Sequence, residues 1–111
     1  MSGLEIYDYH SAGGKNVILA YVEKLSKQEQ LEIYDVRGEI RRSGLDAFEK
    51  LDTRQLRGKL WEIKLSQNRI MYVIMNKDAV AFLHICKKQK GKAEKQDLDK
   101  ALNRARKENL L

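Results

Sequence analysis

Residues 56–88, LRGKLWEIKLSQNRIMYVIMNKDAVAFLHICKK, decide the fold. Val, Ile, Trp, Tyr and Phe crowd three runs, Lys59–Leu65, Asn68–Asn76 and Ala79–Cys86, parted by the polar pairs Ser66-Gln67 and Lys77-Asp78. Aromatic and β-branched residues suit pleated strands, and two-residue polar breaks suit tight hairpin loops, so the stretch predicts a three-stranded antiparallel meander. Such loops also set the register, with Leu65 facing Asn68 and Asn76 facing Ala79. Alternation of side chains then places the rows Trp61–Tyr72–Leu83 and Ile63–Ile70–Ile85 on one face. The opposite face carries Leu60–Val73–Phe82, Glu62–Met71–His84 and Lys64–Arg69–Cys86, with Lys88 just past the last row.

The first of these faces is apolar throughout and belongs to a core. The second is apolar at one end only, and its other end gathers Glu62, Lys64, Arg69, His84 and Lys88. An ion pair between Glu62 and Lys64 or Arg69 is the plain structural expectation for such a face. The functional expectation is a site for an anionic ligand, because two cations on neighbouring strands repel unless an anion lies between them.

Working outward, the N-terminal segment Leu4–Tyr9 alternates apolar and polar residues and predicts an edge or pairing strand. Ser11-Ala-Gly-Gly14 breaks it, and a helix follows from Lys15 with Ile18, Tyr21, Val22 and Leu25 on one stripe. Ser26-Lys-Gln-Glu29 matches a capping box and starts a second helix, expected to turn Leu31, Ile33, Tyr34, Val36 and Ile40 inward and to end at Gly44. With one or two residues between them, the two helices form an αα-hairpin whose apolar stripe covers the first sheet face. Leu45–Leu51 adds a short helical turn, and residues 53–58 lead into the meander. A last helix, from about Ala93 to Lys107, carries the narrow stripe Leu98, Ala101, Leu102 and Ala105.

At 111 residues the chain is expected to form one domain over residues 1–111, of the α+β class. No apolar run is long enough for a membrane span and no signal-peptide pattern is present, so a cytoplasmic protein is expected. A single cysteine, Cys86, excludes an intrachain disulfide. Two histidines and that cysteine, with His10 far in sequence from the other two, argue against a structural zinc site; no metal and no cofactor are expected. The net charge of +6 is concentrated: between Lys87 and Lys107 there are nine Lys or Arg against three acids, and the rest of the chain is balanced. A basic segment of this kind is either a solvated helix or the footprint of a polyanion or an acidic partner.

The polar end of the second face suits RNA cleavage, which needs no metal because the 2′-hydroxyl is an internal nucleophile. Glu62, His84 and Lys64 are the candidates for moving protons, while Arg69 and Lys88 would hold phosphate oxygens. Arg57, Lys59, Lys87, Lys90 and Lys92 are candidate contacts to the RNA backbone, although parity turns Lys87 toward the core side.

Four segments in order resemble the RelE/ParE toxin superfamily, most closely its HigB-like, phage-related branch. They are Leu56-Arg-Gly-Lys-Leu-Trp-Glu-Ile-Lys64, Asn68-Arg-Ile-Met-Tyr72, Leu83-His-Ile-Cys-Lys-Lys88 and Asp97-Leu-Asp-Lys-Ala-Leu-Asn-Arg-Ala-Arg106. The resemblance implies a RelE-like fold: an N-terminal strand and helical hairpin packed on an antiparallel meander, with a C-terminal helix. It also implies a toxin of a type II toxin–antitoxin pair that cuts mRNA on the ribosome without metal. Arg69 matches the strand arginine that stabilises the scissile phosphate in RelE-like members, Lys64 one of their strand lysines, and Lys88 the basic residue after the last strand. Glu62 departs from the RelE-like lysine but agrees with the HigB-like Trp-Glu, and no tyrosine follows Lys88. The implied partners are the ribosome, its mRNA and a cognate antitoxin, acidic or helix-turn-helix, through which operator DNA is reached. The ParE-like branch, which poisons DNA gyrase, and an inactive relative that only binds antitoxin are the alternatives.

Overall fold

The computed structural model describes residues 3–111. Its elements run β1 (Glu5–Asp8), α1 (Val17–Val22), α2 (Lys27–Ser43), a 3-10 turn at Gly44–Asp46, α3 (Ala47–Lys50), β2 (Thr53–Arg57), β3 (Leu60–Lys64), β4 (Asn68–Asn76), β5 (Ala79–Lys87) and α4 (Lys92–Lys107). The strands form one mixed sheet in the order β1-β5-β4-β3-β2. Only β1 is parallel to its neighbour, with Glu5 opposite Ala79 and Asp8 opposite Phe82. This is the α+β architecture expected from the sequence. Among the described residues no helix is long and apolar enough to cross a membrane.

The β3–β4 register is the one expected, from Leu60 opposite Val73 to Lys64 opposite Arg69. Between β4 and β5 it shifts: Met71 faces His84 but Tyr72 faces Phe82, leaving Leu83 as an extra residue in a β-bulge. The bulge exchanges the expected places of two side chains. Phe82 packs with Ile63, Ile70, Tyr72, Val80 and Ile85 under α1 and α2. Leu83 instead packs with Leu60, Met71, Val73 and Ala81 against Ala101, Leu102 and Ala105 of α4. The helices thus sandwich the sheet, α1 to α3 on one face and α4 on the other.

Segment 53–58, expected only as a lead-in, is the edge strand β2, antiparallel to β3. The first helix is shorter than expected: Asn16 caps it by accepting from Leu19 N, and it ends at Val22. Ser26 does cap α2, accepting from Glu29 N, and Gly44 closes it at φ +63°. The inward stripe of α2 is Ile33, Val36, Arg37 and Ile40, while Leu31 and Tyr34, expected inside, are exposed. Positions 33, 36, 37 and 40 follow helical periodicity, and an arginine can occupy the stripe because a carboxylate waits there. Arg37 is buried and forks onto Asp8 of β1, Nη1 to Oδ1 at 2.8 Å and Nη2 to Oδ2 at 2.9 Å. Asn16 adds a third donor to Asp8 at 3.1 Å.

A second polar node ties the strands to the hairpin. Fully buried Asn68 accepts from the Tyr21 hydroxyl at 2.6 Å and donates to Glu29, which also pairs with Lys87. The Lys87 ammonium, then Asn68 and Ser26, hold the Glu29 carboxyl at about 2, below its ordinary 4.5. A depressed carboxyl contributes stability that is complete above the unfolded value and is lost as pH falls through the folded one. Glu29→Gln should therefore flatten the loss of stability between pH about 4.5 and about 2, followed by denaturant titrations at stepped pH.

Candidate nucleic-acid site

The polar end of the α4-facing sheet surface opens into a cleft of about 330 Å³. Its floor is built from two cross-strand rows. Arg54, Glu62 and Met71 stand opposite one another across β2, β3 and β4, and Lys64, Arg69 and Cys86 form the next row toward the strand ends. The roof comes from the loop after β5 and the first turns of α4, through Gln89, Lys90, Glu94 and Asp97.

Lys64 and Arg69 are directly opposite in register, which sets their Cβ atoms about 5 Å apart. Both line the cleft, and neither pairs with a carboxylate among the described residues. Arg69 Nη1 donates to the carbonyls of Leu65 and Asn68, at 2.8 and 3.0 Å. That fixes the guanidinium plane and leaves its other donors to face solvent. The expected ion pair between Glu62 and one of these cations does not form, because Glu62 is taken by Arg54 on the unforeseen strand β2. Arg54 Nη2 lies 2.7 Å from Glu62 Oε2 and 3.1 Å from Glu94 Oε2. Glu62 is 2% exposed, and the Arg54 guanidinium is the cation paired with it among the described residues.

His84 is buried and does not line the cleft. Its Nε2 bonds Asp97 Oδ1 at 2.8 Å, and its Nδ1 lies 3.3 Å from Arg104 Nη1. A guanidinium can only donate, so Nδ1 accepts and the Nε2–H donates to Asp97. Burial pushes the imidazole pKa down, against the opposing pull of Asp97. His84, Cys86 and Asp97 place a nitrogen, a sulfur and an oxygen within 4.8 Å of one another. A cation there would have to displace both the shared His–Asp proton and the Arg104 contact, so these residues read as a hydrogen-bonded support for Asp97. Burial, with Asp97 adding to it, pushes the Cys86 thiol up to about 12 and keeps it protonated.

The remaining candidates separate by position. Lys90 lines the cleft. Lys88 is exposed past the end of β5 and stands outside the lining, its backbone N–H bonded to Gln67 O. Lys92 is exposed at the start of α4, outside the lining. Lys87 also lines the cleft at the end of β5, but its ammonium is paired with Glu29 of α2. Arg57 and Lys59 flank the β2–β3 turn, at the opposite end of the strands from Lys64. The sequence reading missed Arg54, Glu94 and Asp97 as parts of the site.

A family model described as "Phage derived protein Gp49-like (DUF891)" matches residues 20–106 of the chain. No curated protein matches it.

Proposed function

The chain belongs to the Gp49-like, phage-derived family, a toxin-like family of the RelE/ParE-like superfamily, and from that membership we propose a specific activity. The protein is the toxin of a type II toxin–antitoxin pair, of the HigB-like kind, acting as one domain over residues 1–111. It cuts mRNA on the ribosome in the cytoplasm, using no metal. One observation carries this reading: Lys64 and Arg69, two cations with no carboxylate partner among the described residues, stand directly opposite one another in the cleft, next to the buried Glu62 carboxylate.

In this mechanism Glu62 accepts the proton of the 2′-hydroxyl. The 2′-oxygen then bonds phosphorus while the bond to the 5′-oxygen breaks, leaving a cyclic phosphate and a 5′-hydroxyl. Lys64 and Arg69 hold the non-bridging oxygens as charge builds on them. The departing oxygen takes a proton at the cationic rim, where Lys64 and Lys90 carry ammonium groups. Among the sequence candidates for the base, Glu62 is preferred to His84, whose two nitrogens are engaged under α4, and to Lys64, which stands beside Arg69 to hold phosphate oxygens. Lys88, Lys92 and the exposed face of α4 supply outer contacts to the RNA backbone or to the antitoxin, an acidic or helix-turn-helix protein that alone reaches operator DNA.

The test is induced expression followed by mapping of mRNA 5′ ends on translating ribosomes. New ends within translated codons, with free RNA left largely intact, are the expected outcome. Intact mRNA with trapped DNA–gyrase complexes would instead assign the chain to ParE-like action. Undisturbed growth at high expression would leave it an antitoxin-binding relative without activity.

A further inference from the structure

We infer that Arg54 is a positioning residue that keeps Glu62 ionised and aimed into the cleft. The inference rests on the reading of Glu62 as the proton acceptor and adds a residue whose role no motif assigned. Arg54 stands directly opposite Glu62 in the β2–β3 register, on the face that lines the cleft. The Glu62 side chain is only 3% exposed, whereas that of Arg54 is 47% exposed. A carboxylate so withdrawn from water is expensive to ionise unless a cation is held beside it.

The surroundings single out Arg54. From β3 and β4, Lys64 and Arg69 line the same cleft, but neither is within ion-pair distance of Glu62. From β5, Cys86 holds its proton, His84 is tied to Asp97, and Lys87, though it lines the cleft, is paired with Glu29. From α4, Glu94 and Asp97 bring negative charge, which disfavours an ionised neighbour. The loop contributes Lys90 at the rim, outside ion-pair distance. Arg54 is thus the one cation in contact with Glu62 among the described residues, at 2.7 Å. Its second contact, to Glu94 on α4, holds the guanidinium across the cleft mouth. Without it, the buried Glu62 carboxylate would face Glu94 and Asp97 with no cation in contact with it.

The test compares the parent chain with Arg54→Gln and Arg54→Lys. Arg54 is half exposed on an edge strand, and thermal melts should show all three folded. Carboxyl-carbon NMR of the full chain, labelled at glutamate, follows Glu62 directly, with Glu62→Gln assigning its signal. The Glu62 titration should move up by about 1–3 pH units in Arg54→Gln and return most of the way in Arg54→Lys. The acid limb of the mRNA-cleavage profile should move with it, as a fall in kcat at neutral pH with KM for the ribosome complex unchanged. A Glu62 titration identical in the parent and in Arg54→Gln overturns the inference, whatever the activity. Normal cleavage by Glu62→Gln would instead sink the base assignment, so the two ideas fail separately.

Discussion

Lys64→Ala and Arg69→Ala should each slow cleavage of ribosome-bound mRNA by roughly 10²–10³-fold, enough to relieve growth arrest. Both side chains line the cleft, opposite one another on β3 and β4, and neither is neutralised by a protein carboxylate. Their charge is therefore free for the pentacoordinate phosphate. The two substitutions differ in their effect on the fold. Among the described residues Lys64 makes no side-chain hydrogen bond, so its loss should leave the melting temperature in place. Arg69 also anchors the carbonyls of Leu65 and Asn68 at the β3–β4 hairpin, so its loss should lower stability slightly while removing activity. Because both residues grip one group, the double variant should fall short of the product of the single effects. Cleavage assays beside denaturant melts separate the terms. A soluble double variant that still arrests growth would remove the physical basis of the nuclease reading.

Arg37→Ala should destabilise the fold by about 3–5 kcal/mol, the usual consequence of leaving one half of a buried ion pair alone. The Asp8 and Arg37 side chains are 6% and 5% exposed, and Asp8 would keep only Asn16 as a donor. The guanidinium also lies 5.5 Å from the Phe82 ring centre, so its packing is lost with its charge. Urea unfolding of the variant reads the effect. Removing both partners together, as Arg37→Met with Asp8→Leu, should recover much of the loss, because no unpaired charge then stays inside. A single variant as stable as the parent would show that the node contributes nothing net.

The strands β3, β4 and β5 and the β3–β4 register were legible in the sequence because both depend on local chemistry. Two-residue polar breaks fix which residues face each other across β3 and β4, and alternation puts Lys64 beside Arg69. The bulges were not legible. A plain hairpin at Gly58-Lys59 would set Gln55 opposite Glu62; the irregularity at Leu56 brings Arg54 there instead, and with it the partner of the buried carboxylate. The extra residue Leu83 likewise exchanges the faces of Phe82 and Leu83 without disturbing His84. Arg37 escaped for a different reason. Nothing in the apolar stripe of α2 announces an arginine inside, since its counter-charge at Asp8 lies on β1 and meets it only in the folded chain. The burial of His84 followed the same pattern, because Asp97 and Arg104 reach it from an element that hydropathy alone marks as a cover for the core.

The pairing of β1 with β5 bears on how the chain is made. Glu5 must wait for Ala79 before it has a neighbour, so the sheet cannot be completed on a half-synthesised chain. The cleft above the strands is likewise roofed last, because Gln89, Lys90, Glu94 and Asp97 all follow β5 in the chain.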